Sequence, residues 1–203
     1  MSFPACQFLA QQGHTVEYAC HPSFASIFEC ISYAKFVDPN VPHPHDRKLD
    51  FNIGLLDCKL QDYIYEKIPA IAPAKRRPVV FDVSVTPEDY GLPKDYILIS
   101  PFGYCQPRKP SPEWFVHVVK NRIGGSLPIY ALTDRPLPCP VPTITARRLS
   151  HLPALIRNAT EFFTINSAPT VIAAAVRSRY YHVRLHDEGL NYDSDRQIVL
   201  HGI

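Results

Sequence analysis

The stretch Glu161-Phe-Phe-Thr-Ile-Asn-Ser-Ala-Pro-Thr-Val-Ile-Ala-Ala-Ala175 decides the fold. Glu161 to Ile165 is a short apolar, β-rich run of the kind that forms a strand buried on both faces. Asn166 and Ser167 then offer side-chain oxygens, and Pro169 suits the first turn of a helix, where its missing N–H costs nothing. From Ser167 to Ser178 the sequence predicts a helix packed through Val171, Ile172, Ala175 and Val176. A buried strand that turns at once into a helix is the repeating unit of a parallel α/β sheet.

The same grammar extends in both directions. Upstream, Tyr96–Ser100 reads as a buried strand. Ser111–Ile123 reads as a helix capped by Ser111, with Pro112 at its first position, Glu113 at its positive end, and a stripe of Trp114, Phe115, Val118, Val119 and Ile123. Gly124-Gly125 ends it. Leu127–Leu132 is the next strand and Thr143–Thr145 a shorter one. His151–Ala159 is a helix through Leu152, Leu155, Ile156 and Ala159. Downstream, Tyr180–Leu185 alternates as a strand. The order β-α-β-β-α-β-α-β describes a doubly wound parallel sheet.

The first half is less regular. Residues 3–12 predict a short helix that opens near Pro4 and stops at Gly13. His14–Cys20 predicts a strand, Ser23–Ser32 a helix with Ser23 as a candidate cap, and Asp50–Lys59 a buried strand. The prolines, 21 against 8 glycines, cluster between elements. Residues 66–95 are one such cluster. They carry the basic run Lys75-Arg76-Arg77 and a candidate strand at Val79–Val83, and read as the connection between two halves.

At 203 residues, the chain fits one large or two small domains, and 46% hydrophobic residues suffice for a core. A net charge of +2 is too balanced for nucleic acid or an anionic membrane as principal partner. No apolar run is long enough for a transmembrane segment, and Met1 to Cys6 lacks the pattern of a signal peptide. The six cysteines, Cys6, Cys20, Cys30, Cys58, Cys105 and Cys139, form no CxxC pair, so reduced thiols and a cytoplasmic location are expected. His43 and His45, with Asp46 beside them, are too few ligands for a metal centre, and no metal or cofactor is expected. His182 reads as structural. Cys105 has no evident base and is not taken as a nucleophile.

In an open parallel sheet, ligands bind beyond the carboxyl ends of the strands. Three segments stand there: Ser100-Pro-Phe-Gly103 with Tyr104, Cys105, Arg108 and Lys109 following; Thr133-Asp134-Arg135; and Asn166-Ser167-Ala168-Pro169. The third matters most, because a helix start attracts phosphate through its N–H groups and partial positive charge. Simple capping by Asn166 or Ser167 accounts for the same residues. Arg108 and Lys109 are placed to neutralise a diphosphate, or are ordinary surface charge.

Taken together, these segments resemble the C-terminal half of the heptosyltransferases, inverting glycosyltransferases of GT-B fold. Lys109-Pro-Ser-Pro-Glu-Trp-Phe115 matches the lysine and Pro-acidic stretch that leads into a helix there, which implies a phosphate-contacting role for Lys109. Leu149-Ser-His-Leu-Pro-Ala-Leu-Ile-Arg-Asn-Ala159 matches the following helix, and Thr164–Ala175 the signature strand and Ala-rich helix. Two functional positions depart: the family's Asp is Asn166 here, and its His is Val171. The match spans roughly residues 96–183. Residues 2–60 match more weakly, with the family's Gly-Asp loop, which holds the presumed general base, falling before residue 1.

The resemblance implies two Rossmann-like halves: a truncated acceptor-side domain over 1–75, a linker over 76–95, and a nucleotide-sugar-binding domain over 96–203. It implies a nucleotide-diphospho-sugar donor, a carbohydrate or other hydroxyl acceptor, transfer with inversion and no metal. Asn166 would contact the donor's sugar or ribose, and Ser167, Ala168 and Pro169 its diphosphate. No catalytic base is identifiable, with Asp57, Asp82 and Glu88 as substitutes that nothing ranks. The other reading is a decayed transferase that acts as a nucleotide-binding or protein-interaction module.

Overall fold

The computed structural model describes residues 3–44, 65, 68–74, 79–83, 85–103, 110–123, 125–165, 167–176, 178–184 and 197–201. The chain divides into two compact units, the first formed mainly by residues up to Asp82 and the second beginning at Val83.

In the first unit, helix α1 covers Phe3–Gln11 and buries Pro4, Ala5 and Cys6. Gly13 follows with φ +87°, the left-handed conformation a side chain resists. Strands β1 (Glu17–Ala19) and β2 (Lys35–Val37) pair in parallel, Tyr18 opposite Phe36. Phe3, Tyr18, Phe28 and Phe36 form a chain of ring contacts between 5.4 and 6.0 Å across these elements. Ala5, Tyr65, Ile71 and Ala74 form a second small core.

Three expectations change here. Pro22–Cys30 is a 3₁₀ helix rather than an α-helix, and its cap is His21, whose Nδ1 accepts the Ser23 N–H at 3.2 Å. The tighter winding stacks Ile27 and Cys30 three residues apart on the buried side; Phe24, one turn earlier on the same face, is about half exposed. Val79–Val83 forms no strand: the Val80 N–H goes to the Gln7 side chain at 2.9 Å and the Asp82 N–H to the Cys30 carbonyl at 2.7 Å, so neither amide serves a ladder. Strand β2 was not foreseen. The strand expected at Asp50–Lys59 lies outside the described residues.

The second unit is a six-stranded, wholly parallel sheet. Its strands are β3 (Ile97–Ser100), β4 (Ile129–Leu132), β5 (Thr143–Ile144), β6 (Glu161–Thr164), β7 (Tyr180–Arg184) and β8 (Gln197–His201), in the spatial order β5-β4-β3-β6-β7-β8. Numbered from β3, that is 3-2-1-4-5-6, the doubly wound arrangement, which reverses direction between β3 and β6. The helices are α2 (Pro112–Ile123), α3 (Leu152–Asn158) and α4 (Ala168–Ala175). Ser111 caps α2 as expected, its hydroxyl accepting the Trp114 N–H at 3.2 Å.

Strand alternation sorts the core onto two faces. Leu98, Phe162 and Tyr180 cluster with Leu152, Leu155, Ile156 and Ala173. Ile97, Ile99, Phe163 and Tyr181 cluster with Phe115, Val116 and Val119. All four residues of β3 are buried, the mark of a central strand covered on both sides. The Tyr96 hydroxyl donates to the Leu155 carbonyl at 2.7 Å and ties the start of β3 to α3. Two details depart from expectation. Helix α4 is shorter than read and buries Thr170 and Ala173, with Val171, Ile172, Ala175 and Val176 only half-buried. Strand β8 was not foreseen.

Gly91 shows where backbone conformation matters. It ends the 3₁₀ turn Pro87–Tyr90 at φ +68° and ψ 22°. A methyl group there meets nothing within 4 Å, so its cost is conformational alone. Gly91→Ala is expected to lower stability by about 1 kcal/mol, with Gly91→Asn closer to wild type, as read from urea denaturation midpoints.

Candidate functional site

The crevice that a doubly wound sheet offers lies beyond the carboxyl ends of the two strands that flank the reversal. Here those ends coincide. Ser100 of β3 stands in register with Thr164 of β6, and the Ile165 N–H reaches the Ser100 carbonyl at 3.4 Å. Both side chains are buried, Ser100 at 3% and Thr164 at 0% exposure. Beyond them the chains part, one into Pro101, Phe102 and the buried Gly103, the other toward Ser167 and α4.

The β6–α4 junction is built from hydroxyls around one carbonyl. Ile165 O accepts from Thr164 Oγ1 at 3.0 Å, Ser167 Oγ at 3.0 Å and Thr170 Oγ1 at 2.5 Å. The same hydroxyls lie 3.1 to 3.4 Å from one another. Ser167 occupies the N-cap position, but its side chain makes no capping bond to the helix. Its hydroxyl turns back to Ile165, so the capping role the sequence allowed is not the one it performs. With three donors competing for a carbonyl that has two lone pairs, the start of α4 is fixed from beneath.

The end of β4 is pinned in a different way. Thr133 Oγ1 accepts the Arg135 N–H at 2.9 Å and donates to the Arg135 carbonyl at 3.2 Å, closing a tight turn on its own side chain. Thr145, just past β5, donates its hydroxyl to the Thr133 carbonyl at 2.9 Å. Asp134 and Arg135 project from this turn with side chains 74% and 50% exposed, their charged atoms 3.8 Å apart. The Arg135 guanidinium lies over the Phe102 ring, 5.8 Å from its centroid, and so joins the loops that follow β3 and β4.

Of the site residues read from sequence, Ser100, Gly103, Thr133, Asp134, Ser167, Ala168 and Pro169 all lie on the carboxyl-end rim of this sheet, on the ends of β3, β4 and β6 or the turns just beyond. Tyr104, Cys105, Arg108, Lys109 and Asn166 lie outside the described residues. Sequence reasoning missed Phe102 as a contributor, because its partner Arg135 arrives only through the pairing of β3 with β4.

The substitutes considered for the general base fare differently. Glu88 lines a cavity of about 550 Å³ with Thr86, Lys94, Asp95, Asn158 and Thr160. Asp95 precedes β3 and Thr160 precedes β6, so this cavity is at the amino ends of the strands, opposite the crevice. Glu88 therefore stands at the end of the sheet away from that crevice. Asp82 belongs to the first unit, and Asp57 lies outside the described residues. Cys6, Cys20, Cys30 and Cys139 are free thiols. Among the described residues, no three His, Cys, Asp or Glu side chains gather as metal ligands, and no helix is long and apolar enough to cross a membrane. His43 is described, whereas His45 and Asp46 are not.

No protein-family model matches the chain, and no curated protein matches it significantly in sequence. Solved structures do match. One is the iron-containing dodecameric glycosyltransferase TibC from enterotoxigenic E. coli H10407, with a TM-score of 0.66 and 14% identity over 96% of this chain and 57% of that one. Another is the dodecameric iron-containing heptosyltransferase TibC in complex with ADP-D-beta-D-heptose, with a TM-score of 0.62, 15% identity and the same coverage. The chain thus spans rather more than half the length of these neighbours. At this identity the likeness is one of fold: a mixed α/β chain with a parallel sheet, matching the Rossmann-like fold of a glycosyltransferase.

Proposed function

We propose that this chain binds a nucleotide-diphospho-sugar and belongs to a glycosyltransferase of GT-B type that transfers the sugar to a hydroxyl acceptor with inversion and without a metal. The observation that carries the reading is the fold together with the position of the described candidates within it. The fold matches that of a heptosyltransferase solved with ADP-heptose, and a doubly wound sheet takes a nucleotide at its reversal, where Ser100 and Gly103 end β3 and Ser167 to Pro169 open the helix after β6. In this reading residues 96–203 form the nucleotide-sugar domain, residues 1–75 the acceptor-side domain and residues 76–95 the link between them.

The donor's diphosphate sits at the start of α4, where Ser167, Ala168 and Pro169 open the helix and backbone N–H groups favour negative charge. Lys109 and Arg108 neutralise the leaving diphosphate, and Asn166 hydrogen-bonds the sugar or ribose. Thr133 and Asp134 border the nucleoside. For the iron named for the neighbours, no group of three His, Cys, Asp or Glu side chains gathers among the described residues.

A second reading is favoured by two sequence departures, Asn166 for the family's Asp and Val171 for its His. In that reading the chain keeps a nucleotide pocket, or only the fold, and acts as a nucleotide-binding or protein-interaction module. Calorimetric titration with ADP, UDP, GDP and CMP, and with their sugar conjugates, tests the shared part. One diphosphate series is expected to bind in the micromolar range, with Lys109→Ala weakening it about 10- to 100-fold. Absence of binding across the panel by a folded protein would remove the transferase reading and leave the second one only as a protein-interaction module. Binding without sugar release in the presence of hydroxyl acceptors would favour the second.

A further inference from the structure

We infer that the Ser100 hydroxyl is a phosphate-binding donor of the crevice, set apart from the hydroxyls beside it, which are committed to fixing the start of α4. The inference rests on the donor-site reading above. It deepens that reading by assigning one contact with the anion to a single side chain at the end of β3.

Three observations converge. The first is place. Ser100 follows Leu98 by two residues and so faces the same side of the sheet, where Leu98 clusters with Phe162 of β6 and Ala173 of α4. Thr164 follows Phe162 in the same way and is the register partner of Ser100, on a strand about 5 Å away. The Thr164 hydroxyl in turn lies 3.1 Å from that of Thr170 in α4. Ser100 therefore stands one strand away from the first turn of α4, on the side of the sheet that α4 covers.

The second is partnering. Thr164, Ser167 and Thr170 all direct their hydroxyls to the Ile165 carbonyl. The Ser100 hydroxyl has no hydrogen-bond partner among the described residues. With Ser100 only 3% exposed, that hydroxyl is also largely withdrawn from solvent. A polar group held out of water without a partner opposes folding, and protein interiors hold few of them. A ligand oxygen in the crevice supplies the missing partner.

The third is the choice of residue. Ile97, Leu98 and Ile99 are apolar, as suits a strand covered on both faces. Another apolar residue at position 100 would continue that packing with no polar group to satisfy. Serine offers instead a small side chain with one O–H donor. Helix α4 carries no side-chain cap, so the Ser100 hydroxyl adds a side-chain donor to the backbone N–H groups of a helix start. An O–H donated to a charged phosphate oxygen is among the stronger hydrogen bonds.

The probes are ADP, inorganic diphosphate and adenosine, titrated calorimetrically into the full chain and its variants. Ser100→Ala is expected to weaken ADP and inorganic diphosphate about 10- to 100-fold, with adenosine unaffected. Urea denaturation midpoints provide the second reading. Ser100→Ala removes a hydroxyl that the fold does not use, so its midpoint is expected to equal or exceed that of wild type. Thr164→Val removes one that the fold does use, and its midpoint is expected to fall. If Ser100→Ala binds ADP like wild type while Lys109→Ala does not, the inference is wrong and the donor-site reading stands. If Ser100→Ala lowers the midpoint to the level of Thr164→Val, the hydroxyl belongs to the scaffold and the inference fails. If Ser100→Ala loses adenosine in the same proportion as ADP, its role is not phosphate binding and the inference again fails. If folded wild-type protein binds neither ADP nor diphosphate, the inference and the donor-site reading fall together.

Discussion

Raising the pH from 9 to 11 is expected to destabilise the first unit steeply, through two buried thiols. Cys6 and Cys30 are 4% and 2% exposed. Burial pushes each thiol up to about 11, from an ordinary value of 9.0. The Cys30 thiol also donates to the Ile27 carbonyl at 3.1 Å, a bond that the thiolate would lose. A thiol whose folded pKa is raised binds its proton more tightly in the native state than in the unfolded chain. Its contribution is therefore complete below pH 9 and is lost as pH rises through the folded value. Between these limits the unfolded chain has released both protons and the native state neither, so stability falls by roughly 1 to 2 kcal/mol per pH unit for each thiol.

Tyr33 and Tyr65, raised chiefly by burial in the same unit, add to the slope above about pH 10. Urea midpoints at half-unit intervals from pH 7.5 to 11 provide the measurement, read by circular dichroism. The double variant Cys6→Ala/Cys30→Ala is expected to start somewhat less stable at pH 8 and to stay nearly flat between pH 9 and 10, where wild type declines. A wild-type profile that is flat to pH 10 would show that these thiols ionise in place and that the packing around them is looser than described. The same protonation makes them poor nucleophiles, so iodoacetamide at pH 8 is expected to label Cys20, which is only partly buried, well before either of them.

The contrast between the two units shows which physics a sequence displays. Helix α2 and strands β3 and β6 were legible because each carries a local pattern of its own, and each was found close to where it was read. Both faces of β3 and β6 are covered, so Ile97, Leu98 and Ile99 in one and Phe162 and Phe163 in the other are consecutive apolar residues, a pattern that needs no partner to recognise. Strand β2 is three residues long, and its ladder is made with β1 rather than announced by composition. Strand β8 carries an apolar run of only three residues, Ile198 to Leu200, and among the described residues it pairs with β7 alone. The change from α to 3₁₀ winding at Pro22–Cys30 turns on a small energy difference that tertiary contacts decide.

For the site, chain order placed the strand-end loops but not their spatial neighbours. That Ser100 and Thr164 close the sheet side by side follows from the order β4-β3-β6, which emerges only once the sheet is assembled. Ser167 was legible as an N-cap residue and stands there, yet its hydroxyl bonds Ile165 because Thr164 and Thr170 arrive with it. Phe102 with Arg135 is a contact between loops and has no local signature at all.

Phe163→Ala is expected to be the most damaging single truncation in the second unit, costing about 3 to 5 kcal/mol. Phe163 is fully buried, and its ring stacks on Tyr181 at 4.3 Å with the planes 11° apart. Its strand neighbours in the ladder are Ile99 of β3 and Tyr181 of β7, and Phe115, Val119 and Val183 belong to the same core cluster. Removal of the ring leaves a cavity that the sheet is poorly able to close, because β3, β6 and β7 are held at fixed spacing by their own hydrogen bonds. Tyr181 is equally constrained. Its hydroxyl donates to Glu161 at 3.1 Å, and Arg122 and Arg179 lie over its ring at 5.8 and 5.6 Å. It therefore does not swing into the void.

Against a total stability of about 5 to 15 kcal/mol for a domain, the loss moves the urea midpoint down by about a fifth or more. Phe162→Ala supplies the internal comparison. It sits next in the same strand, equally buried but on the opposite face, in a cluster without a parallel ring stack. The excess cost at Phe163, about 1 kcal/mol, measures the stack with Tyr181. Equal midpoints for the two variants would mean that the stack adds nothing beyond burial. A loss below 1 kcal/mol at Phe163 would mean that the sheet face collapses around the void and that the core beneath the crevice is deformable rather than fixed.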